Sequence, residues 1–173
     1  YRYSGRVAWM PFGEYKFEES SLDRPSGPRL ALGLAGLTNT VGLGASAIDV
    51  ERLGYEVAFK WGGFNAQGEY FDENAENQSN VTSHNLGYYV QAGYLFPGNK
   101  FEVAGRWESI ERDTTFHVSN LGSALKDFEG TGLGVSYYLN KHVHKIQADW
   151  FSYEDKVTGA GLDEFRVQLQ VIF

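Results

Sequence analysis

Phe165-Arg166-Val167-Gln168-Leu169-Gln170-Val171-Ile172-Phe173 ends the chain. Successive side chains of a β-strand point to opposite faces. One face is then Phe165, Val167, Leu169, Val171 and Phe173, wholly apolar and finishing on an aromatic; the other is Arg166, Gln168, Gln170 and Ile172, polar except at its last position. Nine to eleven tilted residues suffice for a strand to cross a bilayer. A soluble sandwich strand can carry the same alternation, but it has no reason to finish on an unprotected apolar run. The segment reads as the closing strand of a transmembrane β-barrel, lipid on one side and a water-filled lumen on the other.

Composition agrees with that class. The chain has 173 residues, with 16% aromatics, 21 glycines and no cysteine. Disulfides, thiolate metal sites and cysteine nucleophiles are therefore excluded. A net charge of −7 gives a nucleic-acid partner no electrostatic support. No run of eighteen apolar residues marks a membrane helix. The mean hydropathy of −0.37 does not oppose a barrel, in which only every second residue meets lipid. Tyr1-Arg2-Tyr3-Ser4-Gly5 is no signal peptide, so a leader is expected to have been removed or to lie upstream.

The same period recurs along the chain. Residues 1–10 alternate and stop at Pro11; 11–28, with three of the four prolines, reads as a connection. Strands are expected at about 29–38, 55–61, 64–71, 88–96, 101–108, 132–139 and 145–153, before the terminal one. Gly62-Gly63, Pro97-Gly98-Asn99 and 140–143 read as short turns, and 39–49, 72–85, 112–128 and 155–161 as longer loops. The acidic run Asp72-Glu73-Asn74-Ala75-Glu76 reads as a solvated loop tip, and 121–128 as one or two helical turns. Short and long connections alternate, as in bacterial barrels with short periplasmic turns and longer outer loops. Trp9, Trp61, Phe64, Phe96, Phe101 and Trp150 are placed to form an interfacial girdle.

This pattern predicts an all-β, antiparallel transmembrane barrel. Nine strands, with Phe173 at the periplasmic end and Tyr1 outside, do not make the even count of a usual single-chain barrel. Residues 1–173 are therefore expected to be the C-terminal portion of a single, larger barrel domain, its N-terminal strands missing from this chain. The 11–28 connection is then a periplasmic turn of exceptional length.

Several ordered stretches carry a family likeness: Gly5-Arg6-Val7-Ala8-Trp9 with Pro11, Tyr55-Glu56-Val57-Ala58-Phe59, Gln67-Gly68-Glu69-Tyr70-Phe71 and Gly87-Tyr88-Tyr89-Val90-Gln91-Ala92-Gly93-Tyr94. It continues through Phe101-Glu102-Val103-Ala104-Gly105-Arg106-Trp107, Gly132-Leu133-Gly134-Val135-Ser136-Tyr137-Tyr138-Leu139-Asn140 and Phe165-Arg166-Val167-Gln168-Leu169-Gln170. The series resembles the C-terminal half of the phosphate-selective porin O/P family. The resemblance implies a sixteen-stranded outer-membrane barrel, usually a homotrimer, that passes anions. It also implies that the face Phe165, Val167, Leu169, Val171, Phe173 is the strand read by outer-membrane insertion machinery. No phosphate-site residue carries over.

Candidate lumen-facing cations are Arg2, Arg6, Arg29, Lys60, Arg106, Lys145 and Arg166, and candidate lumen-facing acids are Glu56, Glu69, Glu102, Glu108 and Asp149. Basic rings favour anions and carboxylate rings cations; seven against five decides neither. Mutual pairing along the wall is the plainer role. His142-Val143-His144 is a conceivable metal pair, but it sits in a turn with no third ligand. No acyl-transfer constellation or nucleotide-binding glycine motif is present, so no enzyme activity and no cofactor are expected. The functions left are a diffusion channel for small hydrophilic solutes, anions such as phosphate among them, a structural barrel serving as anchor or scaffold, and a soluble β-sandwich binding module.

Overall fold

The computed structural model describes residues 1–18, 20–42, 44, 47–113, 127–141 and 143–172. Nine strands make one sheet: β1 (Arg2–Trp9), β2 (Arg29–Val41), β3 (Ile48–Trp61), β4 (Phe64–Asn77), β5 (Thr82–Leu95), β6 (Phe101–Glu111), β7 (Phe128–Asn140), β8 (His144–Asp155) and β9 (Gly161–Val171). Each pairs antiparallel with the next, in sequence order. The sheet is not closed: β1 and β9 are its two edges. This matches the expected incomplete ring. The helical turns expected within 121–128 fall largely outside the described residues, and Phe128 opens β7.

Opposed residues share a face, so the register sorts side chains across the whole sheet. Leu30, Phe59, Ala66, Ala92, Gly105, Leu133, Trp150 and Phe165 form one continuous row over eight strands, none of them charged. One residue along each strand is the row Arg29, Lys60, Asn65, Gly93, Ala104, Gly134, Asp149 and Arg166. A slip of one residue would exchange the two rows entirely. The apolar face lies bare, with Val90, Leu133 and Val167 more than half exposed. Such a surface is far larger than a water-soluble monomer tolerates.

Turn chemistry joins the strands tightly at one end. Trp61 pairs with Phe64 across Gly62-Gly63, and Gly62 takes the φ of +58° that this two-residue loop demands. At the next turn Gly98 and Asn99 have φ of +96° and +57°, and the Phe96 N–H donates to the Phe101 carbonyl at 2.8 Å. Trp9, Trp61, Phe64, Phe96 and Phe101 gather at this end, whereas Trp150 sits within β8 opposite Leu133 and Phe165.

At the other end the strands outrun the sequence expectation. β2 continues to Val41 and β3 begins at Ile48, so the loop expected at 39–49 shrinks to 42–47. Asp72–Glu76 is not a loop tip but paired strand: Asp72 opposes Leu53 and Leu86, and Glu76 opposes Asp49 and Thr82. The connection from β4 to β5 is only 78–81, tied by Asn77 Oδ1 accepting from the Ser79 and Val81 N–H groups at 2.9 and 3.0 Å. With 78–81 at this end and 96–100 at the other, the expected alternation of short and long connections fails. The reason is that carboxylates report solvation, not conformation. A strand end standing in water on both faces keeps its ladder while carrying charge. β3, β4 and β5 are each 14 residues long, beyond the roughly 9–11 a crossing needs.

β7 carries Gly130, Gly132 and Gly134 on the polar face, and β8 lays aromatic rings over the first two. Phe151 covers Gly132, and Tyr153 lies 2.7 Å from where a Cβ on Gly130 would sit. The two rings stack at 5.8 Å with 7° between their planes. Gly132→Val forces Phe151 off the sheet and should destabilise the fold by about 1–3 kcal/mol. The check is the temperature at which the folded, heat-modifiable form disappears on a gel. An unaltered temperature would show that the ring does not need the glycine.

Candidate functional site

The register brings all twelve charged candidates to one face. Arg2 opposes Asn39, Arg6 opposes Ala35, Arg29 opposes Lys60, and Glu56 opposes Glu69. Glu102 opposes Leu95, Arg106 opposes Gln91, Glu108 opposes Tyr89, Asp149 opposes Arg166, and Lys145 opposes Gln170. Two regions of this face behave differently.

Across its middle, charge is matched locally. The Arg6 Nε donates to Glu56 at 2.6 Å. Glu69, directly opposite Glu56, accepts from the Tyr89 hydroxyl at 2.5 Å, which relieves the like-charge juxtaposition. Arg106 donates to Glu108 at 2.5 Å and to the Gln91 amide oxygen at 3.2 Å, and its guanidinium lies 3.9 Å from the Tyr89 ring centroid. Arg166 donates to Asp149 at 2.7 Å and sits 4.9 Å from the Phe151 centroid. Arg52, a residue the sequence reading did not single out, pairs with Glu73. Planar guanidinium groups held between a carboxylate and a ring have little freedom left, so the wall is stiff and close to neutral.

Toward the end with the tight turns, the candidates leave water. Lys60 is 1% exposed, Lys145 4% and Glu102 5%. The Glu102 carboxylate accepts from the Asn65 amide at 2.9 Å and from the Tyr138 hydroxyl at 2.5 Å. Lys60 Nζ donates to the Lys16 and Ser20 carbonyls, both at 2.9 Å, and lies 5.3 Å from the Tyr15 centroid. Arg29 donates to the Phe12 carbonyl at 2.6 Å. Lys16, Ser20, Tyr15 and Phe12 all belong to the connection between β1 and β2. Tyr15 packs on Ala31 and Ala58 with Met10 beside it, and burial, with Asp23 nearby, pushes its hydroxyl up to about 12. The Tyr15 contact is thus complete below pH 10 and lost as the pH climbs toward that value.

Sequence reasoning missed this folded-back connection, and with it Tyr15 and Arg24. Its prolines and charges read as solvated chain. The available signal lay elsewhere: Ala31, Gly33 and Ala58 are small side chains on a polar face, which leaves room for something to lie on them. The assembly face of β9 places Phe165, Val167, Leu169 and Val171 together on the apolar side; Phe173 lies outside the described residues. So does His142, the first half of the conceivable metal pair. Among the described residues no group of three or more histidines and carboxylates is placed to hold a metal.

A two-faced antiparallel sheet with a bare apolar side and a charge-paired polar side is a wall segment of a transmembrane β-barrel. The family model for phosphate-selective porin O and P matches residues 34–169, and the chain belongs to that family of outer-membrane channel proteins. Nothing matches the chain among curated proteins or among solved structures.

The buried carboxylate gives a sharp test. Tyr138→Phe removes one donor from Glu102 and should cost about 1–3 kcal/mol, while Glu108→Gln, on the wet part of the face, should cost well under that. Urea unfolding in detergent measures both. Equal losses would refute the division of the polar face into a wet and a buried region.

Proposed function

We propose that this chain forms part of the wall of a water-filled channel in the bacterial outer membrane, through which small hydrophilic solutes diffuse passively. The observation that carries the reading is the separation of faces through the middle of all nine strands, with charge on the apolar side confined to strand ends that stand in water. The twelve charged candidates then face the lumen, and Leu30, Val90, Leu133 and Val167 face lipid. Arg on the lipid side at midplane costs on the order of 2–4 kcal/mol, but little in a wet lumen.

The free edges of β1 and β9 support a larger ring. Backbone groups unpaired in hydrocarbon each cost several kcal/mol, so both edges need partners. We take residues 1–173 as the C-terminal portion of a single barrel domain closed by further strands, toward the sixteen of the resemblance, with a homotrimer and delivery by barrel-insertion machinery as the matching assembly route. Selectivity follows from the wall: with its central arginines neutralised by carboxylates, this part of the lumen favours no charge strongly, so phosphate is one small anion among the solutes admitted.

The test is stepwise conductance by the full-length protein in a planar bilayer. A folded protein that never conducts would leave the scaffold reading in its place. Two variants probe the facing. Val135→Arg should lower the folded fraction severely, whereas Arg106→Ala should fold and shift ion preference toward cations, since Glu108 loses its partner. The reverse outcome would invert the assignment of faces.

A further inference from the structure

We propose that the connection between β1 and β2 is an inward-folded constriction, tethered by Lys60 and Arg24, that sets the size limit for solutes at the tight-turn mouth of the channel. The inference rests on the channel reading and adds the element that sets its size limit.

This connection lies at the same end as Gly62-Gly63, 96–100 and 141–143, and among these it alone is long. It does not hang outside the sheet. Tyr15 is 5% exposed against Ala31 and Ala58 on the polar face. Phe17 reaches further: its ring centroid is 5.0 Å from the guanidinium of Arg6, which bonds Glu56. Glu56 lies five residues before the end of β3 at Trp61, roughly 17 Å along the strand. The segment therefore climbs well inside the wall.

Its tethers span successive hairpins. Lys60, on β3, gives its ammonium to two carbonyls of the segment. The Ser21 hydroxyl donates to the Gly62 carbonyl at 2.8 Å, and the Gly62 N–H returns a bond to the Pro25 carbonyl at 3.0 Å. Arg24 crosses to the β5–β6 turn and donates to the Leu95 and Phe96 carbonyls at 2.8 and 3.2 Å. The two carbonyl acceptors offset the desolvation of the buried ammonium, and both bonds are lost if the segment leaves, so Lys60 ties it to β3. A chain that only linked two neighbouring strands would need none of these bonds. Phe12 and Phe17 of this segment are both about half exposed, and Glu14, Lys16 and Asp23 are exposed as well. In the closed ring these side chains occupy lumen cross-section.

The experiment uses the full-length protein in planar bilayers, with folding checked by heat modifiability. One variant replaces residues 13–24 by a four-residue Gly-Ser linker; a second, Lys60→Met, keeps the length and the buried volume but removes the tether. Single-channel conductance and exclusion of neutral poly(ethylene glycols) of graded size are read for each. The linker variant should conduct at least about twofold more and admit larger polymers, and Lys60→Met should shift both in the same direction by less. A folded variant of either kind with unchanged conductance and cut-off overturns the constriction. If the linker variant does not fold, Lys60→Met decides alone. A wild type that conducts beside unaltered variants defeats the constriction only; a wild type that never conducts defeats the channel reading and the constriction with it.

Discussion

Hydrocarbon offers a peptide group no hydrogen-bond partner, and the rest of this structure depends on that. Every N–H and C=O within the bilayer has to be paired by the chain itself. The eight successive antiparallel ladders from β1 to β9 do this for all but the two edges. Once the ladder is fixed, the twofold period of the strand leaves only one choice per strand, which parity faces lipid. The rows through Leu133 and through Asp149 show that β2 to β9 make the same choice, and the pairing of β1 with β2 extends it to β1. Energetics enforce this collectively, because a one-residue slip shared by the sheet would carry the charged residues of the polar face into lipid together.

The polar face solves a different problem. Water alone would tolerate its charges unpaired, yet Arg6, Arg52, Arg106 and Arg166 each meet a carboxylate. Individually such exposed pairs contribute little stability, about 0–1 kcal/mol. Their effect is on shape and field. Long side chains laid along the wall, their guanidinium groups over the Tyr89 and Phe151 rings, hold this face in one arrangement and keep it close to neutral. The buried groups at the tight-turn end act otherwise. Lys60 and Glu102 are removed from water and bonded on several sides, which makes them fastening points rather than contact points for a solute.

Two features traditionally assigned to loops change meaning here. The acidic residues 72–76 extend a strand pair into solvent, and the proline-rich connection after β1 folds onto the sheet instead of hanging from it. In both cases composition described the solvent and tertiary packing decided the conformation.

The sequence by itself determined the class, the nine strands and the parity of nearly every residue, because lipid and water impose opposite demands at successive positions and the alternation records them directly. Leu30, Val57, Val90, Val135 and Val167 were assignable to one side, and Arg6, Glu69, Arg106 and Arg166 to the other, without coordinates. What it did not determine was where strands stop in water, since polar residues satisfy a strand end and a loop equally well. Nor could it show which charges meet: Arg6 and Glu56 are fifty positions apart, and Arg24 and the Leu95 carbonyl seventy-one. Those contacts depend on strand stagger and on the path of one irregular segment. Both are set by packing across strands, which leaves no periodic trace in the chain.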